Sequence, residues 1–252
     1  MNLKQQMKQQ MLKGVLVKVM DHPSFSIIAK QCGMDFLFYD CEHGMIPYHR
    51  LEKLILMGNA EGIPSIVRVA QLARRDVSQA LDCGADGVMV PMIETVEQAK
   101  QLVAWSKYPP LGIRSYSGGA NTHYRPSGSH AENMREAESR ILSIAQIETK
   151  QGVEHADEIL SVEGIDAVIV GPCDLGISIQ NPDDVMVERE LKMIQYVADA
   201  CTRHHKGFGI IGGMQLQRRF KNQLSFLVSA IDVQLIRDGL RRAVEEYEKL
   251  TG

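Results

Sequence analysis

The chain has 252 residues, is 44% hydrophobic and 23% charged, and has a formal net charge of -3. That is the composition of a globular protein with ample material for a large core. A charge this close to zero gives no electrostatic footprint for nucleic acid, and no apolar run approaches the roughly 20 residues that cross a bilayer.

Taken in chain order, the opening MNLKQQMKQQMLKG carries cations without the apolar core or cleavage site of a signal peptide, and reads as a short polar helix ahead of the fold. Eight β-rich runs follow: GVLVKVM (14–20), FLFYD (36–40), PSIVRV (64–69), GVMVPM (87–92), ILSIAQIE (141–148), AVIVG (167–171), GFGIIGG (207–213) and FLVSAI (226–231). They are near-continuous apolar runs, as expected of parallel strands covered on both faces. Between them lie helix-like stretches such as LEKLILMGNAE, ETVEQAKQLVAWSK, VERELKMIQYVADACTRH and DGLRRAVEEYEKL. Strand then helix, eight times over, predicts an α/β chain folded as a single (β/α)8 TIM barrel over residues 1–252. A doubly wound open sheet is the alternative, but it usually has fewer strands.

One connection is long. YPPLGIRSYSGGANTHYRPSGSH separates the helix ending near Lys107 from the strand starting at Ile141. Connections longer than about 15 residues are usually functional or disordered. Because Arg114, Tyr116, Tyr124 and Arg125 are interleaved with its glycines, the segment from about 108 to 140 is expected to be an active-site loop on the catalytic face.

Barrel chemistry is assembled where the strands end. The second run ends in Asp40, Glu42 and His43, and the third carries Arg68 near its end. The fifth ends in Gln146 and Glu148, the sixth runs into GPCD with Asp174, and the seventh ends in Gly212 and Gly213. Each has a plainer reading: a hydrogen-bonded structural histidine, an Arg paired with a neighbouring acid, or acids favouring a helix N-terminus. Jointly they put several acids around one mouth, where they repel unless a cation lies between them. Glu148 and Asp174 come from adjacent strands, and two carboxylates with open positions suit a hard divalent cation such as Mg²⁺, Mn²⁺ or Co²⁺. The five cysteines (Cys32, Cys41, Cys83, Cys173 and Cys201) form no C-x-x-C pair. Neither a disulfide framework nor structural zinc is expected, and a reducing cytoplasm is the expected setting. Cys41 and Cys173 lie near the mouth but read as small buried residues.

DFLFYDCEHG, PSIVRV, QALDCGADGVMVPMIETVEQA, KYPPLGIRSYSGG, IAQIETKQGVEHADEILSVEGIDAVIVGPCDL and IDVQLIRDGL occur in that order. With D-x-E-H, Q-x-E-T and V-G-P-x-D-L among them, the chain resembles the HpcH/HpaI family of metal-dependent (class II) pyruvate aldolases, which includes 2-keto-3-deoxy sugar acid aldolases and 2,4-dihydroxyhept-2-ene-1,7-dioate aldolase. The resemblance implies a barrel assembled into homohexamers, or trimers, with the C-terminal helix exchanged between subunits. It implies Glu148 and Asp174 as metal ligands, His43 as base and Arg68 as oxyanion stabiliser. Gln146 and the Gly171, Pro172 and Cys173 backbone would bind pyruvate. Asp82 matches the acid that raises the basicity of the histidine, although the strand reading puts it before the fourth strand, at the wrong end of the barrel. Asp40 is the other candidate partner for His43. Cys41 stands where many relatives have Gly, Gly176 where many have Ser, and Ile231 alters a common terminal S-x-x-S-D stretch; the last two fall at the substrate end.

The implied reaction is reversible cleavage of a 4-hydroxy-2-keto acid to pyruvate and an aldehyde through an enolate. Metal and Arg68 would drain its charge, and a carboxylate-backed histidine would take the C4 hydroxyl proton. Oxaloacetate decarboxylation and acyl-CoA (malyl or citramalyl type) lysis use the same enolate, but the second needs a basic groove for CoA phosphates that the sequence does not offer. A Schiff-base route needs a lysine at the mouth, for which Lys18 and Lys150 are the nearby candidates. A catalytically silent scaffold is the non-enzyme alternative.

Overall fold

The computed structural model describes residues 1–124, 128–183 and 187–251. Its elements alternate: α1 (Leu3–Gln6), β1 (Leu12–Val17), α2 (Ser24–Gln31), β2 (Phe36–Asp40), α3 (Tyr48–Glu61), β3 (Ser65–Arg68), α4 (Arg74–Asp82), β4 (Gly87–Val90) and α5 (Val96–Ser106). Then come α6 (His130–Arg140), β5 (Leu142–Ile147), α7 (Lys150–Glu154), α8 (Ala156–Ser161), β6 (Ala167–Val170), α9 (Pro172–Ser178), α10 (Glu188–Arg203), β7 (Gly207–Ile211), α11 (Met214–Arg219), β8 (Phe226–Ile231) and α12 (Asp232–Thr251). The eight strands are all parallel and close as β1-β2-β3-β4-β5-β6-β7-β8, with β1 against β8. The expected (β/α)8 barrel is the fold, and each of the eight runs supplies one strand.

Local chemistry sets many of the boundaries. Thr95 and Gln98 form a capping box at the start of α5, and Ser129 and Glu132 do the same for α6. Helix α3 stops at Gly62, whose φ of 69° is the left-handed cap that glycine adopts at least cost.

Strand alternation sorts the core into two layers. Leu12 and Leu16 of β1, Phe36 and Phe38 of β2, Ile66 of β3, Met89 of β4, and Leu142 and Ile144 of β5 face the barrel interior. Their neighbours, such as Leu37, Tyr39, Val67, Val88 and Ala145, pack outward against the helices. Leu3 and Met7 join the inner cluster, so the short α1 closes the N-terminal end. Continuing the same alternation one step brings Lys18, Asp40, Arg68 and Gln146 inward at the C-terminal end of the barrel, and Glu148 one layer further.

The long connection corrects the sequence reading. Residues 130–140 are helix α6, and the described residues of the segment lie at the N-terminal end of the barrel. Arg140 Nη1 donates to Ala85 O at 3.3 Å and to Asp86 Oδ1 at 3.0 Å, just ahead of β4, and Asn2 of the α1 cap donates to Ser139 O at 3.1 Å. Arg114 pairs with Asp82 at 2.8 Å and lies 5.0 Å over the Tyr108 ring. Tyr124 donates to Glu52 at 2.7 Å, and Arg125 lies outside the described residues. The reason is topological. A segment joining a helix to its following strand begins where the helix has already returned to the N-terminal end; only strand-to-helix connections open onto the other face.

Candidate active site

Register builds the floor of the site. Asp40 and Arg68 are direct partners across the β2–β3 pair, and both side chains point inward. Arg68 Nε donates to Asp40 Oδ1 at 2.9 Å and Nη2 to Oδ2 at 2.6 Å, with Asp40 fully buried and Arg68 nearly so. Asp40 Oδ1 also accepts the backbone N–H groups of Glu42 at 3.1 Å and His43 at 3.2 Å, which folds the chain after β2 into a tight turn. Burial is the largest influence on Asp40 and opposes its charge. The Arg68 hydrogen bonds and charge, the His43 N–H and Lys18 together outweigh it and hold the carboxyl below the usual carboxylate value.

These contacts revise the expectation that Asp40 supports the His43 imidazole. Asp40 holds the His43 backbone and is committed to Arg68. The carboxylate beside the ring is Glu42, whose Oε2 lies 3.7 Å from His43 Nε2 and 3.0 Å from Arg68 Nη1. Burial raises the Glu42 carboxyl, while Arg68 and His43 draw it down. Asp82 is not at this mouth: it ends α4 at the opposite end of the barrel, about half exposed and paired with Arg114.

On β5, Gln146 and Glu148 are buried. Gln146 Oε1 lies 3.5 Å from Arg68 Nη1, and its Nε2 donates to Glu148 Oε2. Glu148 Oε1 accepts the Met92 N–H at 2.9 Å. Burial pushes the Glu148 carboxyl up to about 7; Asp174 and Glu42 add to this, and the Met92 N–H and Arg68 oppose it. Asp174 stands in the first turn of α9, exposed, after Gly171 and Pro172, while Cys173 beside it is exposed rather than buried as the sequence suggested. Gly171 is needed where it sits: a Cβ there would lie 2.5 Å from Glu148 Oε2 and 2.9 Å from Gln146 Nε2.

His43, Arg68, Gln146, Gly171, Pro172, Cys173 and Asp174 line one cavity of about 430 Å³, together with Lys18, Gly212, Gly213, Ser229 and Gln234. None of the described residues between 108 and 140 lines it. Lys150 begins α7 and pairs with Glu154 at 3.5 Å on the exposed surface, so Lys18 is the cavity's lysine among the described residues. The sequence reading puts Glu42 at this mouth without assigning it a role, and offers Lys18 only as a Schiff-base candidate. The signal for Lys18 is nonetheless present, since the period of two through Leu12, Gly14 and Leu16 ends on it.

The comparisons with known proteins agree with this architecture. The family model described as HpcH/HpaI aldolase/citrate lyase matches residues 17–223. Over 220 residues the chain is 32% identical to a hydroxypyruvate/pyruvate aldolase of Chromohalobacter salexigens, covering 86% of this chain and 85% of that one. A 2-keto-3-deoxy-L-rhamnonate aldolase of Klebsiella pneumoniae is 29% identical over 233 residues, covering 88% and 83%. Among solved structures, an HpcH/HpaI aldolase from Desulfitobacterium hafniense superposes with a TM-score of 0.92 at 27% identity, covering 98% of this chain and 97% of that one. The citrate synthase SbnG does so at 0.88 and 26%, covering 99% and 98%. The chain belongs to the HpcH/HpaI aldolase/citrate lyase family and is a carbon–carbon lyase.

Proposed function

We propose that the chain cleaves a 4-hydroxy-2-keto acid reversibly to pyruvate and an aldehyde, with a divalent cation held by Glu148 and Asp174. The observation that carries this reading is the buried Glu148 carboxyl, raised to about 7 by burial and by the charges of Asp174 and Glu42, and hydrogen-bonded to Gln146, which lines the cavity with Arg68 and Asp174. A carboxyl so placed needs a positive charge to ionise at neutral pH. The residues fit a hard cation. The donors are carboxylate oxygens, and the glycine at 171 leaves room beside Glu148. Two protein ligands would leave the remaining positions to substrate and water. Bound there, Mg²⁺, Mn²⁺ or Co²⁺ would supply Lewis-acid charge at the keto oxygen.

The chain's own groups divide the remaining work. Gln146 and the backbone of Gly171, Pro172 and Cys173 would seat the pyruvate half. Half-exposed at the lip, His43 takes the proton from the C4 hydroxyl. As the C3–C4 bond breaks, its electron pair moves onto the pyruvyl oxygen, and Arg68, held rigid by Asp40, stabilises that negative charge. Protonation at C3 then gives pyruvate. Glu42 is the acid that supports the ring within one chain; Asp82 would meet a His43 only if it belonged to another copy. Assembly as a homo-oligomer is supported by α12, whose Leu235, Ile236, Leu240, Val244 and Tyr247 are exposed.

The test is pyruvate release from a panel of 4-hydroxy-2-keto acids with and without EDTA. Release that vanishes with chelator and returns with Mg²⁺ or Mn²⁺ supports the reading. Tight cation binding without release from any member overturns it in favour of oxaloacetate decarboxylation or thioester lysis.

A further inference from the structure

Lys18 has no part in the chemistry described above, yet it stands inside the cavity. The alternation that turns Leu12 and Leu16 into the barrel turns Lys18 inward above them. Its backbone is fixed: the N–H groups of Lys18, Val19 and Met20 all donate to Asp232 Oδ2, at 3.0, 2.8 and 2.8 Å. The side chain is 29% exposed, and among the described residues its ammonium has one ion-pair partner, Asp40 Oδ2 at 3.5 Å. That oxygen already accepts from Arg68 Nη2 at 2.6 Å. An ammonium has three N–H donors, so at least two remain for a ligand. On the β8 side the neighbouring wall is largely apolar, formed by Leu16, Val228 and Ile231 with Ser229 and Gln234 as its polar members, and Leu16 and Ile231 are direct register partners. A cation beside a largely apolar wall is poorly screened and attracts an anion strongly.

We infer that Lys18 sets acceptor specificity, binding a carboxylate on the aldehyde half of the substrate. The inference rests on the aldolase reading, in which the pyruvate half lies against β5 and β6. Lys18 lies beside His43 on the β1–β2 side, so it meets whatever extends beyond C4. A singly charged carboxylate suits it better than a doubly charged phosphate. Asp40, Glu42, Glu148 and Asp174 set four negative charges against Arg68 and Lys18, and a divalent cation only brings the sum to zero. Surplus negative charge in a partly dry cleft is costly.

The experiment measures kcat and KM for aldol addition of pyruvate to glyoxylate and 4-oxobutanoate, which carry a carboxylate, and to butanal, which does not. Wild type is compared with Lys18→Met and Lys18→Arg, with Mg²⁺ or Mn²⁺ present. Lys18→Met is expected to lose about ten- to a hundredfold in kcat/KM on the carboxylate acceptors, mainly through KM, and less than about threefold on butanal. Lys18→Arg is expected to recover most of the loss. Equal loss on both acceptor types would assign Lys18 a structural role through Asp40 and overturn the inference, as would no loss or no turnover of either carboxylate acceptor. Exchange of the pyruvate C3 protons in D₂O, which needs no acceptor, separates the two ideas. Its absence in wild type refutes the aldolase reading, whereas exchange with an unmoved acceptor ratio removes Lys18 alone.

Discussion

Arg68 and Asp40 face each other across β2 and β3 and are joined by two parallel hydrogen bonds, 2.9 and 2.6 Å long, in the buried floor of the cavity. The same carboxylate holds the N–H groups of Glu42 and His43, so one side chain fixes both the guanidinium and the start of the loop that carries the imidazole. Strand β2 therefore ends in an acid for a reason that a strand cap does not require.

Asp40→Ala leaves a buried guanidinium without its fork partner, a change that typically costs about 3–5 kcal/mol. The expected outcome is a lower thermal unfolding midpoint together with a fall in kcat of at least about tenfold, because Arg68 and His43 lose their positions together. An unfolding midpoint equal to wild type would show that the pair does not hold the site.

Glu148 makes the stability of the cation-free protein depend on pH. Its carboxyl binds a proton more tightly in the fold, at about 7 against 4.5 for the ordinary group. The stabilisation that proton confers is complete below about 4.5 and is lost as the pH rises through about 7. Glu148→Gln, neutral throughout, should gain on wild type by about 3 kcal/mol between pH 5 and pH 8 in EDTA. Urea unfolding at the two pH values measures it, and a constant difference between the proteins would refute the placement.

Cation binding has the complementary dependence. A ligand carboxyl must be ionised to bind, so affinity for Mn²⁺ should fall as the pH drops below about 7, with proton release. Titration calorimetry in two buffers of different ionisation enthalpy reads the released proton directly; a heat independent of buffer at pH 6 would argue against Glu148 as a ligand.

Gly171→Ala places a methyl 2.5 Å from Glu148 Oε2. The backbone there, with φ of -98° and ψ of 94°, accepts alanine. The fold should survive by circular dichroism, while cation affinity and turnover fall at least about tenfold as the carboxylate is displaced. Unchanged cation binding would show that this oxygen is not part of the site.

Arg114→Met tests the position of the long connection. The Arg114 side chain is fully buried against Asp82 and Tyr108 at the N-terminal end of the barrel, so the change should cost about 1–3 kcal/mol of stability and leave KM for the keto acid within about threefold. A large rise in KM would place the segment at a mouth after all, through another copy of the chain.

The sequence by itself determined the barrel. Eight apolar runs, each followed by helical periodicity, are local signals, and β2 and β8 begin and end on the residues the pattern indicates. It also determined which side chains reach the C-terminal mouth on β2, β3, β5 and β6, since a strand's period of two and its end are written in its own residues. What only the tertiary structure decided was which side chains meet. For His43 the sequence offers two acids, Asp82 by resemblance although before the fourth strand, and Asp40 at the end of the second. The β2–β3 register gives Asp40 to Arg68, and the return of α4 to the far end of the barrel gives Asp82 to Arg114, leaving Glu42 beside the ring. Residues 108–140 looked like a catalytic loop because composition does not say at which end a connection emerges. Lys18 is visible as a charge, but its place in the cavity follows from closure of β1 against β8, which sets a largely apolar wall beside it. Pairing and enclosure are properties of strands brought together from distant parts of the chain, and no local pattern encodes them.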